Sequence, residues 1–233
     1  MSGERGDDEK RIQGVPASPG IARGPIYVFS IESDDVVHYH VGSSHVPEEI
    51  ARFENALIQT RAQILEMQQQ IAEAIGAKDA GIFDAHLLVV EDQTLIDEVL
   101  RRVEAEHCNV EAAFQDVASR YVESLSKIDD PYLRERALDI QDVTRRVIRN
   151  LQGKSPRPFL TIDEPHILVA HNLTPSDTAT MNRAHVRGLA LDLGSRTSHT
   201  AIMARSLGIP AVVGLHDATD AFETGASALI DGY

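Results

Sequence analysis

The residues of this chain best suited to chemistry lie in one run, Gly194-Ser195-Arg196-Thr197-Ser198-His199-Thr200-Ala201. It brings an imidazole, a guanidinium and several hydroxyls together. Ile202, Met203 and Leu207 follow at helical spacing, Gly208 and Pro210 stop the helix, and Ala211-Val212-Val213 reads as a buried strand. His199 therefore falls at the first turn of a short helix, with Thr197 or Ser198 placed to cap it. The first turn of a helix has unpaired N–H groups and a positive dipole end, which favour an anion. The same dipole disfavours a protonated ring by about 0.3–1 kcal/mol when exposed and up to about 2 kcal/mol when partly buried. The imidazole is thus biased to stay neutral and nucleophilic, and Arg196 adds a fork of donors matched to phosphate oxygens. That combination points to phosphoryl transfer through the ring. A serine hydrolase fits poorly: Ser198 and His199 are adjacent and cannot face each other on a helix, and no Gly-x-Ser-x-Gly elbow exists.

The elements that must position this run can be read on either side of it. Gly194 and Ser195 supply the turn before the helix. Val186 to Asp192 is a strand leading into that turn, and His166 to Ala170 is a second, buried-type strand. Between them Thr174 can cap a helix opened by Pro175. Near the start, Ile12 to Gly24 is rich in glycine and proline and must turn, and Ile26 to Phe29 is a strand. Ala226 to Tyr233 is a strand running into a turn, after which a returning hairpin partner is expected. The middle is helical. Pro47-Glu48-Glu49 opens a helix whose apolar positions Ile50, Phe53, Leu57, Ile64, Met67, Ile71 and Ile75 run to Gly76. Further helices are expected over about 78–90, 93–106, 110–125 and 131–151, joined by short loops, so neighbours should pack antiparallel. The run Gly81 to Asp92 is too apolar for a one-sided helix and is buried on two sides or faces a partner. Gly153 to Pro158 is a linker by composition. The strand-rich start cannot fill a core alone and must pack with the strand-rich end, which makes the bundle an insertion. The fold class expected is α+β or α/β with an inserted helical bundle, divided as 1–34 plus 154–233 and 35–153.

Composition narrows the function classes. At 233 residues, 42% of them hydrophobic, the chain can hold one large or two small domains. The net charge of −14, from 22 basic and 36 acidic residues, argues against non-specific nucleic-acid binding and anionic membranes and favours a basic partner. Cys108 is the single cysteine, so no disulfide framework or thiolate metal site is expected. His38, His40 and His45 lie close in sequence but without a carboxylate at useful spacing, so no metal site is assigned. Residues 1–11 read as a polar leader without a signal-peptide core, and no apolar run reaches membrane-spanning length. A cytoplasmic location is expected.

The run Gly194 to Gly214 resembles the phosphohistidine signature of the phosphoenolpyruvate-utilising enzymes, whose Gly-Gly-x-Thr-Ser-His-x-Ala core carries the phosphorylated histidine. His199 matches that histidine, and Ser195 stands where the family usually has its second glycine. Gly14 to Ala22 resembles the Gly-x-x-x-Ser-Pro-Gly-x-Ala opening of Enzyme I of the bacterial phosphotransferase system. Ile82 to Asp92 and Tyr132 to Ala137 resemble its helices that dock HPr, the small phosphocarrier protein. The resemblance spans about Ile12 to Tyr233. It implies a phosphohistidine swivel-type domain with an inserted bundle, and a phosphoenolpyruvate-protein phosphotransferase that carries the phosphoryl group on His199 and passes it reversibly to HPr. It places Thr178 on the threonine that steers the active ring, with Arg196 and Ser198 around the phosphate. It places Leu88, Asp92, Leu95, Leu125, Leu133 and Arg136 on or near the docking surface, while Ala77, Lys78 and Asp79 replace a more acidic stretch. The family's phosphoenolpyruvate and Mg²⁺ sites, and its dimerisation, belong to a C-terminal barrel outside these residues. This part is therefore expected to be monomeric and cofactor-free, with HPr and that barrel as partners. Other readings are a swivel domain of a phosphoenolpyruvate synthase or pyruvate-phosphate dikinase, the Enzyme I-like region of a dihydroxyacetone-kinase phosphocarrier, and an acidic scaffold without catalysis.

Overall fold

A computed structural model describes residues 10–30, 35–154, 164–181 and 184–233. The expected leader up to residue 9, the boundary at residue 34 and linker residues 155–158 lie outside the described residues. Two strands open the chain, β1 (Val15–Ser18) and β2 (Ile21–Phe29). Six helices follow: α1 (Val46–Ile75), α2 (Ala77–Ala80), α3 (Asp84–Val90), α4 (Gln93–Glu106), α5 (Val110–Ser126) and α6 (Pro131–Leu151). The remainder alternates as β3 (His166–Ala170), α7 (Pro175–Ala179), β4 (Val186–Leu191), α8 (His199–Leu207), β5 (Ala211–Val213), α9 (Ala218–Ala221) and β6 (Ser227–Asp231).

The helix limits follow local chemistry. Pro47, Glu48 and Glu49 occupy the first turn of α1, and Gly76 ends it at φ 111°, which a side chain would resist. Asp92 caps α4 by accepting from the amides of Thr94 (2.8 Å) and Leu95 (3.1 Å). Asp130 caps α6 by accepting from the Tyr132 amide at 2.8 Å. The single helix expected over 78–90 is instead α2, a tight turn at Gly81–Phe83, and α3. Gly81 weakens the helix at mid-run, and the tighter turn buries both Ala80 and Phe83. The bundle core gathers Phe53, Ile64, Phe83, Val99, Val103, Phe114, Val117 and Val147, with the Phe53 and Phe114 rings 5.3 Å apart. One end of the bundle is tied by Arg52, which donates to Glu49, Glu111 and the Leu151 carbonyl. Glu49 also accepts from the Val110 amide (2.8 Å) and Glu111 from Asn109 Nδ2 (3.0 Å). Asn109 in turn accepts from the Tyr39 amide (3.0 Å) and donates to the Val37 carbonyl (3.1 Å).

The strands form one six-stranded sheet in the order β1-β5-β4-β3-β2-β6. Its centre, β2 to β5, is parallel, and antiparallel β1 and β6 close the two edges. Strands from both ends of the sequence therefore share one sheet, with the helices α1 to α6 between them in sequence. β2 runs longer than the expected 26–29 because β6 pairs with Ile21 to Pro25. One sheet face packs Leu168, Leu189, Leu191 and Val213 against Ala201 and Ala204 of α8. The other packs Ile26, Val169 and Ala190 against Leu215, Ala218 and Ile230. Met203 of α8 joins the bundle core instead.

Candidate functional site

The candidate site is the loop between β4 and α8 and the helix faces opposite it. Its base is pinned by sheet-edge bonds: Leu193 N–H donates to the His171 carbonyl (2.9 Å) and His216 N–H to the Asp192 carbonyl (3.0 Å). Gly194 turns the chain at φ 116°. Ser195 has no positive φ, so a serine stands here without backbone strain. Its hydroxyl bonds the Thr197 hydroxyl (3.0 Å) and accepts from the Thr197 amide (3.3 Å). Ser198, not Thr197, is the cap: its Oγ accepts from the Ala201 amide (3.4 Å) and donates to the Ser195 carbonyl (2.9 Å). Arg205, in the last turn of α8, donates to the Ala17 and Arg196 carbonyls, both at 2.8 Å, fastening the loop to β1. Arg196 itself lies in an exposed turn.

His199 is the first residue of α8, and 24% of its side chain is exposed. It faces the bundle: its Nδ1 lies 4.0 Å from Oδ1 of Asp139 on α6. The ring is held below the usual histidine range. Burial is the largest cause; Glu135 opposes it, and His86 and Arg136 add to it. Sequence reasoning reached a neutral ring through the helix end, whereas packing against α6 supplies the main push.

Beneath His199 lies a buried ionic cluster that the sequence alone did not reveal. His86 of α3 sits 3.2 Å from Asp142 Oδ2 and 4.0 Å from Asp139 Oδ1. Asp142 also accepts from the Ser176 amide at the start of α7 (3.2 Å), and Asp139 Oδ2 accepts from Arg136 Nη1 (3.2 Å). Against its burial, His86 is held above the usual range by its bond to Asp142 and the charges of Asp142 and Asp139. Against the opposing effect of burial, His86, Arg146 and Ser176 hold Asp142 well below the carboxylate range. Asp139 goes the other way: burial pushes it up to about 6, with His86 and Arg136 opposing. The signal for these residues was polar side chains at positions 139 and 142 interleaved with the apolar Ala137, Ile140 and Val143, and a histidine inside the apolar run 81–92.

The remaining expected residues divide. Thr178 is buried and donates to the Thr174 (3.2 Å) and Pro175 (2.9 Å) carbonyls of its own helix. The hydrogen bond to the ring that the resemblance implies is not made here, because the hydroxyl is taken by its own backbone. Leu88 is 70% exposed on α3, and Leu133 and Arg136 are half-buried on α6, where Arg136 stacks 4.7 Å over Tyr132. Leu125 is half-buried near the end of α5. Leu95 is a correction: at 3% exposure it belongs to the bundle core, since helical phase turns it inward. Asp92 is occupied as the α4 cap. Among the described residues no group of three or more histidine, cysteine, aspartate or glutamate side chains could hold a metal ion. No helix there is long and apolar enough to cross a membrane.

Known proteins carry the same pattern. The family described as PEP-utilising enzyme, N-terminal, matches residues 13–136, and that described as PEP-utilising enzyme, mobile domain, matches residues 162–233. The phosphoenolpyruvate-protein phosphotransferase of Bacillus sp. (strain S) is 40% identical over 224 residues, covering 96% of this chain and 38% of that protein. The Bacillus subtilis (strain 168) protein of the same name is 39% identical, covering 96% and 39%. The chain thus spans well under half the length of these curated relatives. The NMR solution structure of Enzyme I (nEIt) superposes with a TM-score of 0.71 at 40% identity, over 95% of this chain and 90% of that one. The N-terminal domain of Enzyme 1 - Nitrogen superposes with a TM-score of 0.59 at 25% identity, over 96% and 91%.

Proposed function

The chain belongs to the phosphoenolpyruvate-utilising enzymes, in the form of the N-terminal part of an Enzyme I, and from that premise we propose that it carries a phosphoryl group on His199 and exchanges it with a histidine of an HPr-type phosphocarrier. The observation that carries this reading is the placement of His199: first residue of a capped helix, partly open, its ring held neutral by burial. A neutral ring keeps a lone pair for phosphorus, and the α8 amides offer donors to the incoming oxygens. Ser198 fixes the helix start, and the Arg196 guanidinium, on the loop just before the ring, is proposed to hold the phosphoryl group.

The docking face is proposed as Leu88 of α3 with Leu133 and Arg136 of α6, Leu125 and Asp92 lying at its margin. An acidic chain suits a basic carrier. The working units are proposed as residues 1–34 plus 154–233, bearing His199, and 35–153, bearing the docking face. Phosphoenolpyruvate and Mg²⁺ are assigned to the C-terminal domain that the resemblance implies, which is the second partner of His199. The location is proposed as cytoplasmic and this part as monomeric.

Incubation with phosphorylated HPr tests the reading. Label is expected on His199 alone, and His199→Gln should take up none; label on that variant, or none on the parent, ends the proposal. Arg196→Ala should slow transfer without changing the thermal melt, and unchanged kinetics remove Arg196 from the site.

A further inference from the structure

We propose that Asp139 is the positioning residue of the phosphoryl-accepting ring: its carboxylate holds His199 as the Nδ1–H tautomer, leaves Nε2 as the nucleophile, and faces the positive charge the ring acquires on phosphorylation. The proposal rests on the reading of His199 as a phosphoryl carrier.

Three observations carry it. Asp139 is 1% exposed, and its Oδ1 has no hydrogen-bond partner among the described residues, an arrangement proteins rarely keep without use. That oxygen lies 4.0 Å from His199 Nδ1, while Oδ2 is already engaged by Arg136. The competing imidazole, His86, is nearer Asp142 (3.2 Å) than Asp139 (4.0 Å), and Asp142 is further fixed by the Ser176 amide. His86 Nε2 is thus spent on Asp142, and Asp139 Oδ1 is left to His199. Closing that gap to a hydrogen bond needs a shift of about 1 Å. Which nitrogen of a histidine reacts is set by the bond the other makes.

The transfer step balances without a free proton. The Nε2 lone pair of His199 bonds phosphorus as the N–P bond of the donor phosphohistidine breaks, its electron pair returning to the donor ring. The donor ring, cationic at the start because its other nitrogen carries a proton, leaves as neutral imidazole. His199 keeps its Nδ1 proton and gains the ring charge, now opposite the Asp139 carboxylate. Back-transfer reverses each change.

The groups facing Asp139 are His86 from α3, Arg136 and Asp142 from α6, and His199 from α8; Glu135 and Arg136 also face His199. With its carboxyl near 6, Asp139 is ionised at pH 7.5 and loses its hold on the Nδ1 proton as pH falls through that value.

The test is ¹⁵N NMR of the histidine rings in the unphosphorylated 233-residue chain. At pH 7.5 His199 is expected as the Nδ1–H tautomer, mixed tautomers in Asp139→Asn, and the parental tautomer in Asp142→Asn. Phosphoryl uptake from phosphorylated HPr should fall at least about tenfold in kcat in Asp139→Asn with KM held, and the acid limb near pH 6 should move down. An unchanged tautomer or unchanged pH profile in Asp139→Asn overturns the proposal. If that variant misfolds, the parent decides: a His199 tautomer that stays flat from pH 7.5 to 5.5 also overturns it. Failure of phosphorylated HPr to label the parent sinks the carrier reading instead, and the tautomer data still judge Asp139.

Discussion

Two buried ionic clusters sit in the same helical bundle and are built differently. In the Glu49–Arg52–Glu111–Asn109 cluster every carboxylate and amide oxygen has a donor. In the His86–Asp139–Asp142 cluster the buried Oδ1 of Asp139 has none among the described residues, and it lies 4.0 Å from both His86 Nε2 and His199 Nδ1. The first ties residues 37 and 39, α1, α5 and the end of α6 together. The second lies where α3, α6, α7 and α8 meet. A closed network adds rigidity, and an open one keeps a charge in reserve. With Asp139 in its proposed role, the contrast separates polar burial that holds a fold from polar burial that serves a reaction.

The largest effect should come from breaking the closed network. Arg52→Ala leaves Glu49 and Glu111 buried without their cation. Removing one partner of a buried pair costs about 3–5 kcal/mol, and partial exposure of Arg52 lowers this to about 2–3 kcal/mol. A urea melt at pH 7 should show it, and an unchanged midpoint would erase the distinction between the clusters.

The open cluster should respond with the opposite sign. Asp139 is raised from 3.8 to about 6 in the folded chain, so the folded state binds its proton more tightly than the unfolded state. Its contribution is therefore neutral below about pH 4 and becomes a growing penalty as pH rises towards 6. Asp139→Asn removes that penalty and should stabilise the chain at pH 7 by about 1–3 kcal/mol, while harming transfer. Asp142 runs the other way: its lowered value stabilises above about pH 4, and that support is lost as pH falls further. Melts at pH 4 and pH 7 check the sign for Asp139 and melts at about pH 2 and pH 4 that for Asp142, and an Asp139→Asn chain less stable at pH 7 contradicts the comparison.

Smaller changes sharpen the picture around the loop. Ser198→Ala loses the α8 cap and should cost about 0.5–1 kcal/mol, the low end of the range because the capping bond is long. Amide exchange should quicken first at Ala201, and uniform exchange would show that the cap contributes nothing local. Ser195→Gly, which restores the usual family residue, should cost about 0.5 kcal/mol through unfolded-chain freedom and loss of the Thr197 bond. A gain in stability there would mean that the serine strains the turn.

Much of the frame was legible because its determinants are local. Pro47, Asp92, Asp130 and Gly76 mark helix ends by chemistry that acts within one turn. The place of His199 at a helix start was legible for the same reason, since a capped first turn is a short-range feature. The break at Gly81 was not, because it depends on Ala80 and Phe83 both reaching the core. Nor was Leu95, whose inward phase depends on how α4 is laid against its neighbours. The cluster beneath the ring was least legible. Residues 86, 139, 142, 176 and 199 meet only after α3, α6, α7 and α8 have packed, and no spacing in the sequence announces that meeting.

Met203 gives α8 a double allegiance, with Ala201 and Ala204 rooted in the sheet while its thioether lies in the bundle. Any rotation that carries α8 with the sheet away from the bundle must draw that side chain out into water. Uncovering a methionine costs about 1.5–3 kcal/mol. The reoriented form is then at most about 7% of resting molecules, so the side chain acts as a detent that keeps α8 latched to both halves.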